Sequence, residues 1–298
     1  MNEETNTILI NFRNLLKDGN YSQLTVYEWV NIVSKEMLSN YSTTPYHINP
    51  YYLYRARVNV NETKKVDFFE NANELWAPPN EKVKQQGRCN SRGQSILYCS
   101  TSELTSLFEI KPENNAEVTI IEYESICDIG LLGVIGVNEL IDVGADYKTL
   151  FGGHHKHSSP KALLLDEVFS EIFKSRDKNS ESFPIYNLTN AIFQIFLTNT
   201  KTDLLPPHAI APHFKGIVYP SVTTRKPLGM NMALYQNEVK EILKPSIVYK
   251  YKILQKYDEH RYTIILTHKT IAIGKNGELY WEEIQNSIVE NVTDIADH

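Results

Sequence analysis

The chain has 298 residues, 42% of them hydrophobic and 22% charged, with 30 Lys and Arg against 36 Asp and Glu for a formal net charge of −6. That balance excludes bulk attraction to nucleic acid or to an anionic membrane surface. Three cysteines, Cys89, Cys99 and Cys127, lack CxxC spacing and exclude a disulfide framework or a zinc knuckle.

A soluble chain of this length buries roughly 75% of the surface its unfolded form exposes, so a core and a roofed pocket need neither disulfide nor metal. The acidic start MNEETNTILINF lacks the basic region and long apolar run of a signal peptide. No stretch approaches the ~18 apolar residues of a membrane span. The expected location is cytoplasmic, with no direct nucleic-acid or membrane partner.

Near the N-terminus Ile8, Ile10, Phe12, Leu15 and Leu16 recur at mixed helical spacings, and Gly19 supplies a stop. Thr25, three residues before Glu28, predicts a capping box that opens a helix through Trp29, Ile32, Val33, Met37 and Leu38. Residues 1–50 therefore read as an N-terminal helical segment. Strand chemistry begins at Tyr51; Leu53, Arg55 and Arg57 share one face, and Tyr54, Ala56 and Val58 the other. Beyond the Pro78-Pro79 break, Ser95–Ser100 reads as a short strand and Ser102–Ile110 as one or two helical turns. Val118–Tyr123 is a strand rich in β-branched residues.

Residues 130–160 are Gly-rich and apolar by turns and carry no clear period. Pro160–Lys174 and Asn187–Thr198 predict two helices, the first with Pro near its opening turn. Gly216–Ser221 and Met230–Tyr235 read as short strands. From Ser246 the tail alternates apolar and polar residues, and Asn276-Gly277 marks a hairpin turn. Strands and helices are interspersed without regular βαβ alternation. The expected fold is mixed α+β, with a principal domain over residues 51–245 and a C-terminal β extension over 246–298.

Chemistry concentrates in Gly87-Arg88-Cys89-Asn90-Ser91-Arg92-Gly93, then Ile96-Leu97-Tyr98-Cys99-Ser100, then Thr105–Glu109. The stretch holds no GK[ST] phosphate loop and no GxGxxG dinucleotide fingerprint. It sets Arg88 in a Gly-flanked loop, Tyr98 on a strand and Glu109 at the end of a short helix. Arg55 lies upstream on a strand, and Ser221 far downstream after Tyr219-Pro220. Two other features carry less. His154-His155-Lys156-His157 lacks the i, i+4 spacing of a helical metal site and has no Asp, Glu or Cys cluster beside it, so no metal is expected. Cys89 sits beside Arg88, where a thiolate is favoured, but the sequence offers it no fixed His partner.

From about Tyr52 to Tyr235 the chain resembles the RES domain family, named for its Arg, Glu and Ser residues. An Arg ending an early strand is matched by Leu53-Tyr54-Arg55, and Gly-Arg-x-Asn-x-x-Gly by Gly87–Gly93. A Leu-Tyr-x-Ser strand and a helix ending in Glu are matched by Tyr98 and Glu109. Gly-Ile-x-Tyr-Pro-Ser and a strand led by Gly and Asn are matched by Gly216–Ser221 and Asn231–Leu234. Each piece alone is weak; their common order and spacing carry the likeness. About fifty further residues stand at each end, as in a longer branch of the family.

The resemblance implies a fold similar to ADP-ribosyltransferases and an activity that degrades NAD⁺, with NAD⁺ as substrate, phosphate as a candidate co-substrate and no resident cofactor. It implies a growth-arresting toxin or defence effector, whose usual partner is an antitoxin with an Xre-type helix-turn-helix. A homodimer is compatible with it. Arg55, Glu109 and Ser221 take the catalytic roles; Arg88, Tyr98, Asn90 and Arg57 bind NAD⁺, with Arg57 the rival of Arg55 on the same strand face.

The residue types also suit this chemistry from below. The glycosidic bond of NAD⁺ breaks through an oxocarbenium-like transition state, as in glycoside hydrolysis. Guanidinium forks at Arg55 and Arg88 match phosphate oxygens, and Tyr98 offers a stacking face and a hydroxyl. Glu109 can bond ribose hydroxyls and offset positive charge at the anomeric carbon. Ser221 can orient the leaving amide or a phosphate, since no His/Asp pair is identifiable to make it a nucleophile. Two alternatives stand beside this reading. One is an ADP-ribosyltransferase acting on a macromolecule; such enzymes often carry Glu or Gln two residues before the catalytic Glu, where Leu107 stands here. The other is an inactive interaction module.

Overall fold

A computed structural model describes residues 24–37, 45–47, 52–61, 64–126, 131–137, 160–175, 184–198, 214–221 and 229–293. The helical pattern of Ile8–Leu16, Leu38, Cys127 and the His154–His157 run lie outside the described residues. In chain order the elements are helix α1 (Val26–Met37), strands β1 (Pro45–His47) and β2 (Tyr52–Val58), the small hairpin β3 (Val60–Asn61) and β4 (Lys64–Lys65), and β5 (Ile96–Ser100). Helix α2 (Glu103–Ile110), strands β6 (Glu117–Ser125) and β7 (Leu131–Val134), and helices α3 (Pro160–Lys174) and α4 (Pro184–Thr198) follow. Then come β8 (Phe214–Pro220), β9 (Met230–Tyr235), the single turn α5 (Gln236–Val239), and β10 (Leu243–Lys256), β11 (Arg261–Ile273), β12 (Leu279–Glu283) and β13 (Val289–Thr293).

These elements form two compact units that interleave along the sequence. One comprises Met1–His47, Pro79–Ile96 and Gly130–Pro220; the other comprises Ile48–Pro78, Leu97–Ile129 and Ser221–His298. The division differs from the consecutive segments 1–50, 51–245 and 246–298, and strand pairing gives the reason. β10 runs from Leu243 to Lys256 and pairs with β6 from Leu243↔Ser125 to Lys252↔Glu117, so residue 246 falls inside a strand. Alternation of apolar residues marks a strand but not the neighbour it pairs with.

In the first unit α1 opens on the expected capping box. Glu28 Oε2 accepts from Thr25 N at 2.8 Å, and Thr25 Oγ1 accepts from Glu28 N at 3.3 Å. Trp29 and Val33, one turn apart, are buried, and the helix packs against α4. Pro184 opens α4 three residues before the expected Asn187, where a missing N–H costs nothing. β7 runs parallel to β8 and antiparallel to β1. It falls in the stretch without a period, because Leu132–Val137 are all buried and a strand covered on both faces shows no alternation. Gly133 is needed there: a Cβ would stand 2.4 Å from the Phe196 ring, which meets Phe214 edge-on at 5.8 Å.

The second unit is mixed α+β around a large, mostly antiparallel sheet. Its strand order is β9-β5-β2-β6-β10-β11-β12, with β13 also on β11. Helix α2 packs on β2 and β6, and its Leu107 and Phe108 join Ala56, Val118, Ile120, Ile253, Tyr262 and Ile264 in one core cluster. Burying a side chain such as Phe108 is worth about 1.5–3 kcal/mol, so this contact holds α2 on the sheet. At Lys275–Glu278 the hairpin turn forms as expected, but only Gly277 takes a positive φ, of 94°. Gly277 N donates to Gly274 O, and Gly274 N to Glu278 O. That is a type I turn closed by a left-handed glycine rather than a two-residue turn. Among the described residues no helix is long and apolar enough to cross a membrane.

Candidate functional site

Helix α2 starts on Ser102, whose Oγ accepts from Thr105 N at 3.1 Å, and stops at Lys111, in the left-handed region with φ 44°. Glu109 therefore occupies the last turn, where the helix dipole opposes a carboxylate by about 0.3–1 kcal/mol. Two donors compensate. Ser221 Oγ donates to Glu109 Oε1 at 2.6 Å, and Asn231 Nδ2 donates to the same oxygen at 2.5 Å. Asn231 is itself fixed, because its Oδ1 accepts from Ser100 Oγ at 2.8 Å. Ser100, Ser221 and Asn231 are 3%, 4% and 5% exposed, whereas Glu109 is half-buried. One carboxylate oxygen is thus gripped from the buried side. Oε2 accepts no hydrogen bond among the described residues.

The backbone that carries Asn231 is set by a close approach. Gly229 packs on the first turn of α2 so tightly that a Cβ would stand 1.7 Å from Thr105 Oγ1. Next along, Met230 N donates to Thr101 Oγ1 at 3.1 Å, and Thr101 N to Met230 O at 3.0 Å. The strand led by glycine and asparagine is therefore a device for laying β9 against α2.

Strand parity then sorts the other expected residues. Tyr54 pairs with Ser100, so Ser100 lies on the face of β2 that also holds Ala56 and the α2 contact. Tyr98, two residues before Ser100, shares that face. Arg55 and Arg57 lie on the opposite face with Leu53. The expected convergence of Arg55 with Glu109 is not found: α2 covers the Tyr54 side, and side chains one residue apart on a strand cannot share a face.

Arg55 Nη1 donates to Tyr98 O at 3.3 Å, while its buried Nε has no hydrogen-bond partner. Arg57 donates to Glu74 O, and its guanidinium lies 5.0 Å from the Phe69 ring centroid. Burial, with the neighbouring Arg55 charge, lowers the pKa of Arg57. Both arginines act on their own strand's surroundings. On that face Cys99 is buried, and burial pushes its thiol up to about 12, so it is no nucleophile at neutral pH.

Arg88 and Asn90 belong to the first unit, and α4 holds their loop. Gln86 Nε2 donates to Asn187 Oδ1 at 2.9 Å, Thr189 Oγ1 to Arg88 O at 2.7 Å and Asn190 Nδ2 to Ser91 Oγ at 3.0 Å. The Arg88 guanidinium donates to Phe173 O and, at 3.4 Å, to Ser175 O, where the end of α3 favours a cation. It also lies 5.4 Å from the Tyr186 ring centroid. Asn90, 6% exposed, spends its amide on Gln85 O and Ser91 O within the loop. Cys89 is buried.

Ser100 and Asn231 are the site residues that motif matching leaves without a role. The available signal is a polar side chain inside an apolar strand, in Tyr-Cys-Ser and Met-Asn-Met, since a buried polar group must find a partner. Among the described residues no group of three or more His, Cys, Asp or Glu is arranged to hold a metal ion. No family model matches the chain, and no curated protein or solved structure is significantly similar to it.

Proposed function

We propose that this chain degrades NAD⁺ by breaking the nicotinamide–ribose bond, as the RES family it resembles does, on an ADP-ribosyltransferase-like fold. The observation that carries the reading is the one-sided grip on Glu109. Ser221 and Asn231 hold Oε1 at 2.6 and 2.5 Å, which fixes the carboxylate plane and leaves Oε2 for a ligand. A carboxylate so held suits a reaction that builds positive charge on a sugar carbon, because a preorganised charge needs no rearrangement as the transition state forms.

Nicotinamide leaves with the bonding electron pair and becomes neutral. Glu109 Oε2 bonds a ribose hydroxyl and offsets charge at the anomeric carbon. Water attack then gives ADP-ribose and a proton; phosphate attack gives the sugar phosphate. Ser221 works through Glu109 as a positioning donor, its Oγ donating to Glu109 Oε1 at 2.6 Å. Tyr98 supplies a ring face on the Glu109 side of the sheet, and Arg88 keeps the NAD⁺-binding role that the resemblance assigns. A growth-arresting or defence role, neutralised by an Xre-type antitoxin, follows from the same resemblance.

The test is product analysis of NAD⁺ incubated with the purified chain, in phosphate and in phosphate-free buffer. Nicotinamide with ADP-ribose in both identifies a hydrolase; nicotinamide only with phosphate identifies a phosphorylase. Unchanged NAD⁺ in both overturns the proposal.

A further inference from the structure

A second concave site stands apart from Glu109. A groove of about 690 Å³ is lined by Ala72, Asn73 and Trp76, by Ile126 after β6, by Lys240, Glu241 and Leu243–Pro245 around the start of β10, and by Ile273–Gly277 at the end of β11. Its volume falls within the ~300–1,000 Å³ of small-molecule sites. All of its walls belong to the second unit, and most come from residues beyond Tyr235, where the RES likeness ends.

The lining is chemically two-sided. Trp76, Leu243, Pro245 and Ile273 give an apolar floor, and Ile126 adds a 55% exposed side chain at its rim. Against it stand three ammonium groups, Lys240, Lys244 and Lys275, and one carboxylate, Glu241. That is a local cationic excess on a chain of net charge −6. Some lysines elsewhere in the same unit are paired: Lys111 with Glu259 at 2.9 Å, Lys256 with Glu113 at 2.7 Å and Lys250 with Glu117 at 3.5 Å. Lys240, Lys244 and Lys275 make no ion pair among the described residues.

The walls are also preformed. Asn71 Nδ2 and Asn73 Nδ2 both donate to Asn276 O, at 3.1 and 3.4 Å, and Ala72 N donates to Gly277 O at 2.8 Å. On the other side Ile126 N donates to Ile242 O at 3.0 Å. Gly277 is obligatory, with φ 94° and a Cβ position 2.6 Å from Asn71 Oδ1. Four segments distant in sequence are thus locked around one space, with its cations unspent.

We propose that this groove binds a small organic phosphate of nucleotide size. The phosphates engage Lys240, Lys244 and Lys275, and the ring system rests on the Trp76–Pro245–Ile273 floor. Two linked phosphates with a planar base meet both halves of the lining; inorganic anions meet only the lysines, and a nucleoside only the floor.

The experiment uses the full chain and three probes, ADP, pyrophosphate and adenosine, titrated by calorimetry at low salt. ADP should bind more tightly than either fragment and should weaken as salt is raised. Replacing the exposed lysines together, K240E/K244E/K275E, should weaken ADP at least tenfold at an unchanged melting temperature, and K240R/K244R/K275R should retain it. E109Q should leave ADP binding at this groove unaltered, which separates the result from any failure of the Glu109 reading. ADP binding unchanged in the triple glutamate variant, no ADP binding at millimolar concentration, or binding of an acidic peptide or RNA oligonucleotide but not ADP would overturn the proposal.

Discussion

The surroundings of Glu109 and the Gly87–Gly93 loop are equally strong as sequence motifs, yet their side chains are used in opposite ways. Around Glu109 side chains bond to side chains: Ser100 to Asn231, then Asn231 and Ser221 to one carboxylate oxygen. In the loop, the Arg88 and Asn90 side chains bond to main chain: Arg88 to Phe173 O and Ser175 O, Asn90 to Gln85 O and Ser91 O. A backbone carbonyl bonded this way shapes a loop. A carboxylate gripped at one oxygen keeps the other available. The comparison teaches that a motif residue's chemical freedom depends on what its partners are, which spacing does not reveal.

The sharpest way to break the comparison is Asn231→Asp. It removes a donor from Glu109 and sets a second carboxylate in its place, at an observed donor–acceptor separation of 2.5 Å. NAD⁺ turnover should fall by about 10²-fold, as for loss of an electrostatic donor with added repulsion; steady-state kinetics within twofold of the parent would detach Asn231 from the site. Ser221→Ala removes the hydroxyl that donates to Glu109 Oε1 and should lower kcat about tenfold, with the melting temperature nearly unchanged. An inactive, destabilised variant would instead make Ser221 a structural residue.

Arg88→Lys keeps the charge but loses the fork that spans two carbonyls. It should cost about 1 kcal/mol of stability in denaturant melts and raise KM for NAD⁺ several-fold. A stability loss with unmoved KM would make Arg88 an anchor of α3 and α4 alone.

The smallest expected effect is at Glu103, on α2 away from the Glu109 network. Burial raises its carboxyl pKa, against a lowering hydrogen bond from Tyr251, and Glu122 and Glu290 push it further up. A pKa higher in the folded chain than in the unfolded one means that the folded state holds the proton more tightly. The stability this contributes is present below about pH 4, the ordinary carboxylate range, and is lost as pH rises through the shifted value. Glu103→Gln should therefore stabilise the chain slightly at pH 7, and the difference should vanish on acidification; a difference that grows at low pH would reverse the assignment.

Much of the fold was legible because its signals are local. The Thr25–Glu28 box, the Pro160–Lys174 helix and the Ser102-capped α2 rest on residues three or four apart, and each forms as its pattern says. Pairing was not legible: β10 joins β6 across more than a hundred residues, and nothing in its alternation names that neighbour. The site divides along the same line. Glu109 and Ser221 come together as expected. Arg55 does not join them, because the parity of β2 and the side on which α2 packs are tertiary facts. Asn231 was visible as the asparagine of a matched strand, but without a role, because its partner Ser100 lies 131 positions away.

The most direct measurement is a paired time course of nicotinamide release from NAD⁺ by the parent chain and by Glu109→Gln, which keeps the shape of the side chain and removes its charge. Steady release by the parent, with at least a 10²-fold loss in the variant at equal melting temperature, is the expected result. Equal rates in the two proteins would contradict the role given to the Glu109 carboxylate.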